Sequence, residues 1–151
     1  MQTKRRRWLE IPAVWAFILR GYLPRMAALS LIWEIAHLPL YTIGNDDRLS
    51  RIAFAVAHCT AGDVLIGIAA LLLALILSRA GELDDWPMKR VDMLTVVLAV
   101  SYTLLSERLN IAQGNWVYSS WMPVLPGIEV GLSPLLQWTV VPLAALWWAQ
   151  R

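Results

Sequence analysis

What this chain lacks narrows its class before any motif is read. A single cysteine, Cys59, rules out an intramolecular disulfide and the dithiol pair that disulfide-forming membrane enzymes need. With only two histidines, His37 and His58, the chain could serve one bis-histidine haem at most. Charged side chains make up 16% of the residues, and the stretch 112–130 holds no lysine or arginine at all. The net charge is +2 and the basic residues are spread over connections, so there is no basic face of the kind that grips nucleic acid. No small-residue cleavage pattern follows the first apolar stretch, where Arg20 and Arg25 intervene, so a cleaved signal peptide is not expected.

What is present is apolar length. Of the 151 residues, 58% are hydrophobic, well above an ordinary soluble domain. Four runs at 26–43, 52–77, 93–111 and 132–148 can each cross roughly 30 Å of hydrocarbon as a helix. The sequence therefore predicts an all-α membrane protein, an antiparallel bundle of four transmembrane helices occupying residues 26–151. Residues 1–25 carry Lys4, Arg5, Arg6, Arg7, Arg20 and Arg25 around an apolar core too short to cross, and are expected to form a separate amphipathic helix lying in the interface. Arg79, Lys89, Arg90 and Arg151 fall on the same side as that segment, whereas the opposite connections offer only Arg48 and Arg51. Basic residues stay cytoplasmic during insertion, so both termini are placed in the cytoplasm of a bacterial-type inner membrane.

Ionisable residues interrupt these runs, and a charge at hydrocarbon depth costs several kcal/mol unless it meets a partner or water. Glu34 and His37 lie in the first run, His58 and Asp63 in the second, Glu107 and Asn110 in the third, and Gln137 in the fourth. At 1.5 Å per residue His37 and His58 both fall about 9 Å below the outer boundary, with Glu34 and Asp63 a little deeper. The inner halves, such as 69–77 and 94–100, are almost purely aliphatic, which disfavours a proton or ion relay through the membrane. The expectation is a polar cavity near the outer surface. Asn110, Trp116, Tyr118, Trp121 and Gln137 are candidate substrate contacts, since the aromatic connection 112–130 can fold back as a lid; an ordinary aromatic belt accounts for the same residues.

Glu34 and His37 stand three apart and share a helical face. This Glu-x-x-His element resembles half of the carboxylate-bridged di-iron site of four-helix bundles, but Asn110 stands where the second histidine belongs. A mononuclear zinc or iron site on His37, His58 and Glu34 would leave a coordination position for water. Without a metal, Glu34, His37, His58, Asp63 and Glu107 form a general acid/base set suited to an intramembrane isomerase or hydrolase acting on a lipid-like substrate. That architecture is comparable to compact four-span sterol isomerases of the emopamil-binding type, from which no residue roles carry over. A b-type haem between His37 and His58 is a third reading, which the surrounding carboxylates oppose. The alternative to all three is a non-catalytic membrane subunit or small-ligand binder whose polar residues fix helix packing. In that reading Glu107 snorkels outward or pairs with Arg108. In any of them Ser133, followed by Pro134, is expected to cap the fourth helix, and Cys59 to be a small buried hydrophobe. Membrane lipids are the one partner class the composition implies.

Overall fold

The computed structural model describes residues 8–151; Lys4, Arg5, Arg6 and Arg7 lie outside them. The described residues are mostly helical; their strand content is a two-residue antiparallel pairing of β1 (Val124–Leu125) with β2 (Val130–Gly131) and an isolated bridge from Tyr41 to Tyr118, and the rest are turns and connections. Its helices are α1 (Pro12–Ala16), α2 (Leu23–His37), α3 (Leu49–Leu77), α4 (Met88–Ala112) and α5 (Leu132–Ala149), with a π-helical stretch Phe17–Tyr22 between α1 and α2.

The amphipathic helix expected over the first 25 residues is not separate. Pro12 opens α1 at a position where its missing N–H is not needed, and the path then runs through the π stretch into α2 without interruption. Pro24 cannot donate to the carbonyl of Arg20, and its ring would crowd it. The chain answers with a wider turn, in which Leu23 N–H bonds Ile18 O five residues back. Arg25 Nη1 then donates to the carbonyl of Gly21 at 2.9 Å. As a result Trp8, Val14, Ile18 and Tyr22 are buried against the other helices.

Each long helix packs on its neighbours in a closed ring: α2 against α3 and α5, and α4 against α3 and α5. Neighbours run antiparallel, since Gly21 meets Ala149 at one end while His37 meets Ser133 at the other. The end holding Gly21 is filled by Trp8, Ile18, Tyr22, Leu71, Leu75, Trp86 and Leu146. Gly67 admits α2 closely there. A β-carbon at that position would stand 2.9 Å from Met26 Cε, and the Tyr22 hydroxyl donates to Gly67 O at 3.2 Å.

α2 stops at His37, short of the expected Ile43, because Pro39 lacks the N–H that would continue the ladder to Ile35. Two 3-10 turns, Leu38–Leu40 and Thr42–Asn45, follow. A side chain on Gly44 would strike the Leu38 carbonyl, so the tight return needs glycine there. At the start of α3, Asp46 accepts Arg48 N–H at 2.8 Å and Arg51 Nη1 at 2.9 Å. The backbone N–H first, and then Arg51, hold its carboxyl below the ordinary carboxylate range.

α3 and α5 are long and apolar enough to cross a membrane. At 29 residues α3 is about 43 Å long. The outer surface is apolar on every side: Ile32, Phe54, Leu65, Val97, Leu105 and Val140 are exposed, while Glu34, Asp63 and Glu107 are buried. A soluble domain seldom exposes so many large apolar side chains on its helices or buries three carboxylates.

Candidate functional site

All four long helices send a polar side chain to the end of the bundle opposite Gly21. Glu34 and His37 come from α2, Asp63 from α3, Glu107 from α4, and Ser133 and Gln137 from α5; all six are buried. Gln137 sits at the junction. Its Nε2 donates to Glu34 Oε1 at 3.2 Å and to Asp63 Oδ2 at 2.6 Å, so one amide spends its two hydrogens on two carboxylates. The other Glu34 oxygen faces His37 Nε2 at 3.2 Å.

The carboxylate oxygen of Glu34 beside Nε2 favours a hydrogen on that nitrogen, and the opposite side of His37 is compatible with it. Trp33 Nε1 can only donate, and it reaches Ser133 Oγ at 3.3 Å. The serine oxygen accepts that hydrogen, leaving its own hydroxyl hydrogen for His37 Nδ1 at 3.1 Å. Neutral His37 is thereby assigned as the Nε2–H tautomer, aimed at Glu34. A donor chain runs from indole to hydroxyl to imidazole to carboxylate.

Glu107 anchors a second limb. The hydroxyls of Tyr41, at 3.4 Å, and of Tyr118 both donate to its Oε2, and Gly131 N–H donates to Tyr118 Oη at 2.9 Å. Burial pushes the Tyr118 hydroxyl above its ordinary range and the bond to Glu107 adds to this, so it remains a donor at any physiological pH. The limbs touch where the His37 and Tyr41 rings lie 5.2 Å apart.

Tyr118 belongs to the connection 112–130, which docks on the chain between α2 and α3. Thr42 N–H bonds Val117 O at 3.0 Å, Ser119 N–H bonds Leu40 O at 3.0 Å, and Ser119 Oγ donates to Pro39 O at 2.7 Å. The β1–β2 hairpin then turns at Gly127, whose φ of 88° suits glycine, and Met122 wedges against Gly131. The connection thus folds back over this end of the bundle.

No family model, curated protein or solved structure matches this chain. Its chemistry is read from these side chains alone.

The network unites six of the residues singled out from sequence, Glu34, His37, Asp63, Glu107, Tyr118 and Gln137. It leaves out others. His58 is exposed and stacks on Phe54, ring centroids 5.6 Å apart. It shares a depth with the cluster but stands five residues before Asp63, which turns it about 140° away around α3. The expected metal set of His37, His58 and Glu34 is therefore not assembled, and a haem between the histidines lacks its second ligand. Among the described residues no three His, Cys, Asp or Glu side chains are placed to hold a metal ion. Asn110 is spent on its own helix end, donating to Ser106 O at 2.8 Å and accepting from Asn115 at 2.7 Å. Trp121 points outward at 79% exposure, and Trp116 is partly buried with an unpartnered indole nitrogen. Glu107 is held by tyrosines, not by Arg108, which is exposed.

Three members went unread in sequence. Ser133 is not a cap, since α5 begins on Gly131 without a side-chain cap. Trp33 stands four residues before His37 on the same face of α2, a spacing that carries no polar signal by itself. Tyr41 lies past the end of α2, and no helical spacing could have placed it.

Proposed function

We propose that this chain is a multi-pass protein of a bacterial-type inner membrane, with both termini cytoplasmic, and that the Glu34–His37–Asp63–Gln137 network is an acid/base site facing the outer leaflet. The reaction class is proton transfer to and from an apolar, lipid-like molecule, as in shifting a double bond. The observation that carries this reading is the donor chain from Trp33 to Glu34, buried inside a bundle whose outer surface is apolar. Orientation rests on the basic residues: Arg25, Arg79, Lys89, Arg90 and Arg151 all belong to the helix ends away from the network.

Magnitudes favour chemistry over packing. An acidic residue at the middle of a membrane helix costs about 3 kcal/mol on insertion scales, whereas a hydrogen bond between membrane helices returns on average about 0.6 kcal/mol. Three carboxylates held only to fix packing would be a poor solution compared with apolar side chains. As general acid and base the same groups are worth about 10²–10⁴-fold in rate. Shifting a double bond needs one carboxyl in its acid form to give a proton to carbon, and one in its carboxylate form to take a proton from the allylic carbon. Glu34 and Asp63, bridged by the Gln137 amide, supply that pair, and exchange with water restores both. Neutral His37 holds Glu34 in place through its Nε2–H.

The test is solvent-proton incorporation. Purified chain is reconstituted in vesicles of bacterial lipid extract in D2O, and the lipids are examined by mass spectrometry for deuterium fixed on carbon. A lipid labelled by the natural chain but labelled at least about 100-fold more slowly with Glu34→Gln or Asp63→Asn is the expected result, with thermal stability unchanged or raised. Label that is indifferent to both substitutions, or variants that lose label only together with their fold, would favour the packing subunit instead.

A further inference from the structure

Two buried hydroxyls lie directly beneath the network and bond nothing. Ser30 is wholly buried on α2 and Thr103 is 5% exposed on α4, and neither side-chain oxygen has a hydrogen-bond partner. Ser30 stands four residues before Glu34, and Thr103 four before Glu107, so each sits one helical turn further in on the face that carries a carboxylate. α2 and α4 are the diagonal pair of the ring, both packed on α3 and α5, so the two hydroxyls face the bundle interior from opposite sides. One more turn inward the positions are Met26 and Ala99, both buried and apolar. Ser30 and Thr103 therefore close the layer that holds the carboxylates; a third buried and unpartnered hydroxyl, Thr95, lies two turns further in on α4, beyond Ala99.

An unpaired hydroxyl in an apolar interior costs the full loss of its hydration, and interiors answer such a group with a partner. We propose that Ser30 and Thr103 form the floor of the site, a subsite for one neutral hydroxyl oxygen supplied either by water or by the alcohol end of an apolar molecule. Neutrality follows from the lining. Two hydroxyls can give one hydrogen and take another from a third O–H, with carboxylate oxygens one turn above as further acceptors. They carry no charge to compensate an ion. The proposal rests on the reading of the network as a binding site, and it names what that site holds at its inner end.

The sign of a stability change tests it. The full chain in detergent micelles is melted as Ser30→Ala, Thr103→Val and the double variant, with and without 1-decanol. The control is Thr139→Val, whose exposed hydroxyl bonds Leu135 O at 3.0 Å within α5. A fall in Tm of about 2–4 °C for each hydroxyl removed, beyond the control, is expected, with Ser30→Thr and Thr103→Ser behaving as the natural chain. If the alcohol is the ligand, decanol raises the Tm of the natural chain and not of the double variant. If water is the ligand, decanol shifts neither, and a long-lived water signal at these residues in NMR disappears in the double variant. An unchanged or higher Tm in Ser30→Ala and Thr103→Val overturns the proposal, because truly idle or self-bonded hydroxyls are dispensable. No readout depends on turnover, so a failure of deuterium incorporation leaves this result standing, and the reverse also holds.

Discussion

Ser133 Oγ stands between the Trp33 indole and the His37 imidazole, so a single hydroxyl on α5 bears on how a ring of α2 is presented to Glu34. Its role predicts a measurable change. In the natural chain ¹⁵N NMR of neutral His37 should report the Nε2–H tautomer, and Ser133→Ala should bring the Nδ1–H form to a comparable population. An unaltered tautomer in that variant would remove Ser133 from any part in orienting the ring. In sequence, Glu34 and His37 could be read as a pair because three-residue spacing fixes both their height and their face. His58 matched His37 in height only, and α3 turns it towards Phe54 and the outer surface. Gln137 showed as a polar interruption, but that its single amide joins carboxylates from two other helices needs coordinates. Ser133 illustrates a competing local reading: a serine before a proline at a helix start looks like a cap, yet its oxygen is claimed by Trp33 and His37.

At the level of elements, hydrophobic runs located the four long helices to within a few residues, apart from the first. Pro24 and Pro39 account for both errors there. The π stretch Phe17–Tyr22 absorbs Pro24 and lets a helix continue where sequence suggests a boundary, and Pro39 ends α2 inside an apolar run that composition alone would extend. The connection 112–130 was readable as aromatic and unsuited to water. Its attachment was not, because backbone pairing with 39–42 and a tyrosine on a distant carboxylate have no sequence period. Removing the Tyr118 hydroxyl should loosen this connection while leaving the helices in place. Tyr118→Phe is expected to speed amide exchange over 116–131 by about 10-fold, with α3 and α5 unchanged. Uniform acceleration throughout the chain would mean that the hydroxyl supports the whole bundle instead.

For the molecule as a whole, the two ends differ in kind. One end gathers Arg25 over Trp148 at 5.2 Å and Arg151 over Trp147 at 4.0 Å, a pairing of guanidinium and indole suited to a headgroup layer. The other end holds the carboxylates, with Arg48, Arg51 and Arg108 as its basic residues among those described. In a Cys59→Ser background, cysteine placed at Ser119 should react with a membrane-impermeant maleimide on intact cells, whereas cysteine at Gln150 should react only after permeabilisation. The opposite pattern would invert the topology and move the network to the cytoplasmic leaflet.

The Tyr118 hydroxyl accepts from the neutral Gly131 N–H, but the hydrogen it gives goes to the carboxylate of Glu107. Lifting the connection must strip a hydrogen from that carboxylate, and any event that protonates Glu107 weakens the hold on the connection. Loosening of the connection and protonation of Glu107 are then thermodynamically linked through one oxygen atom, so whatever favours the one favours the other.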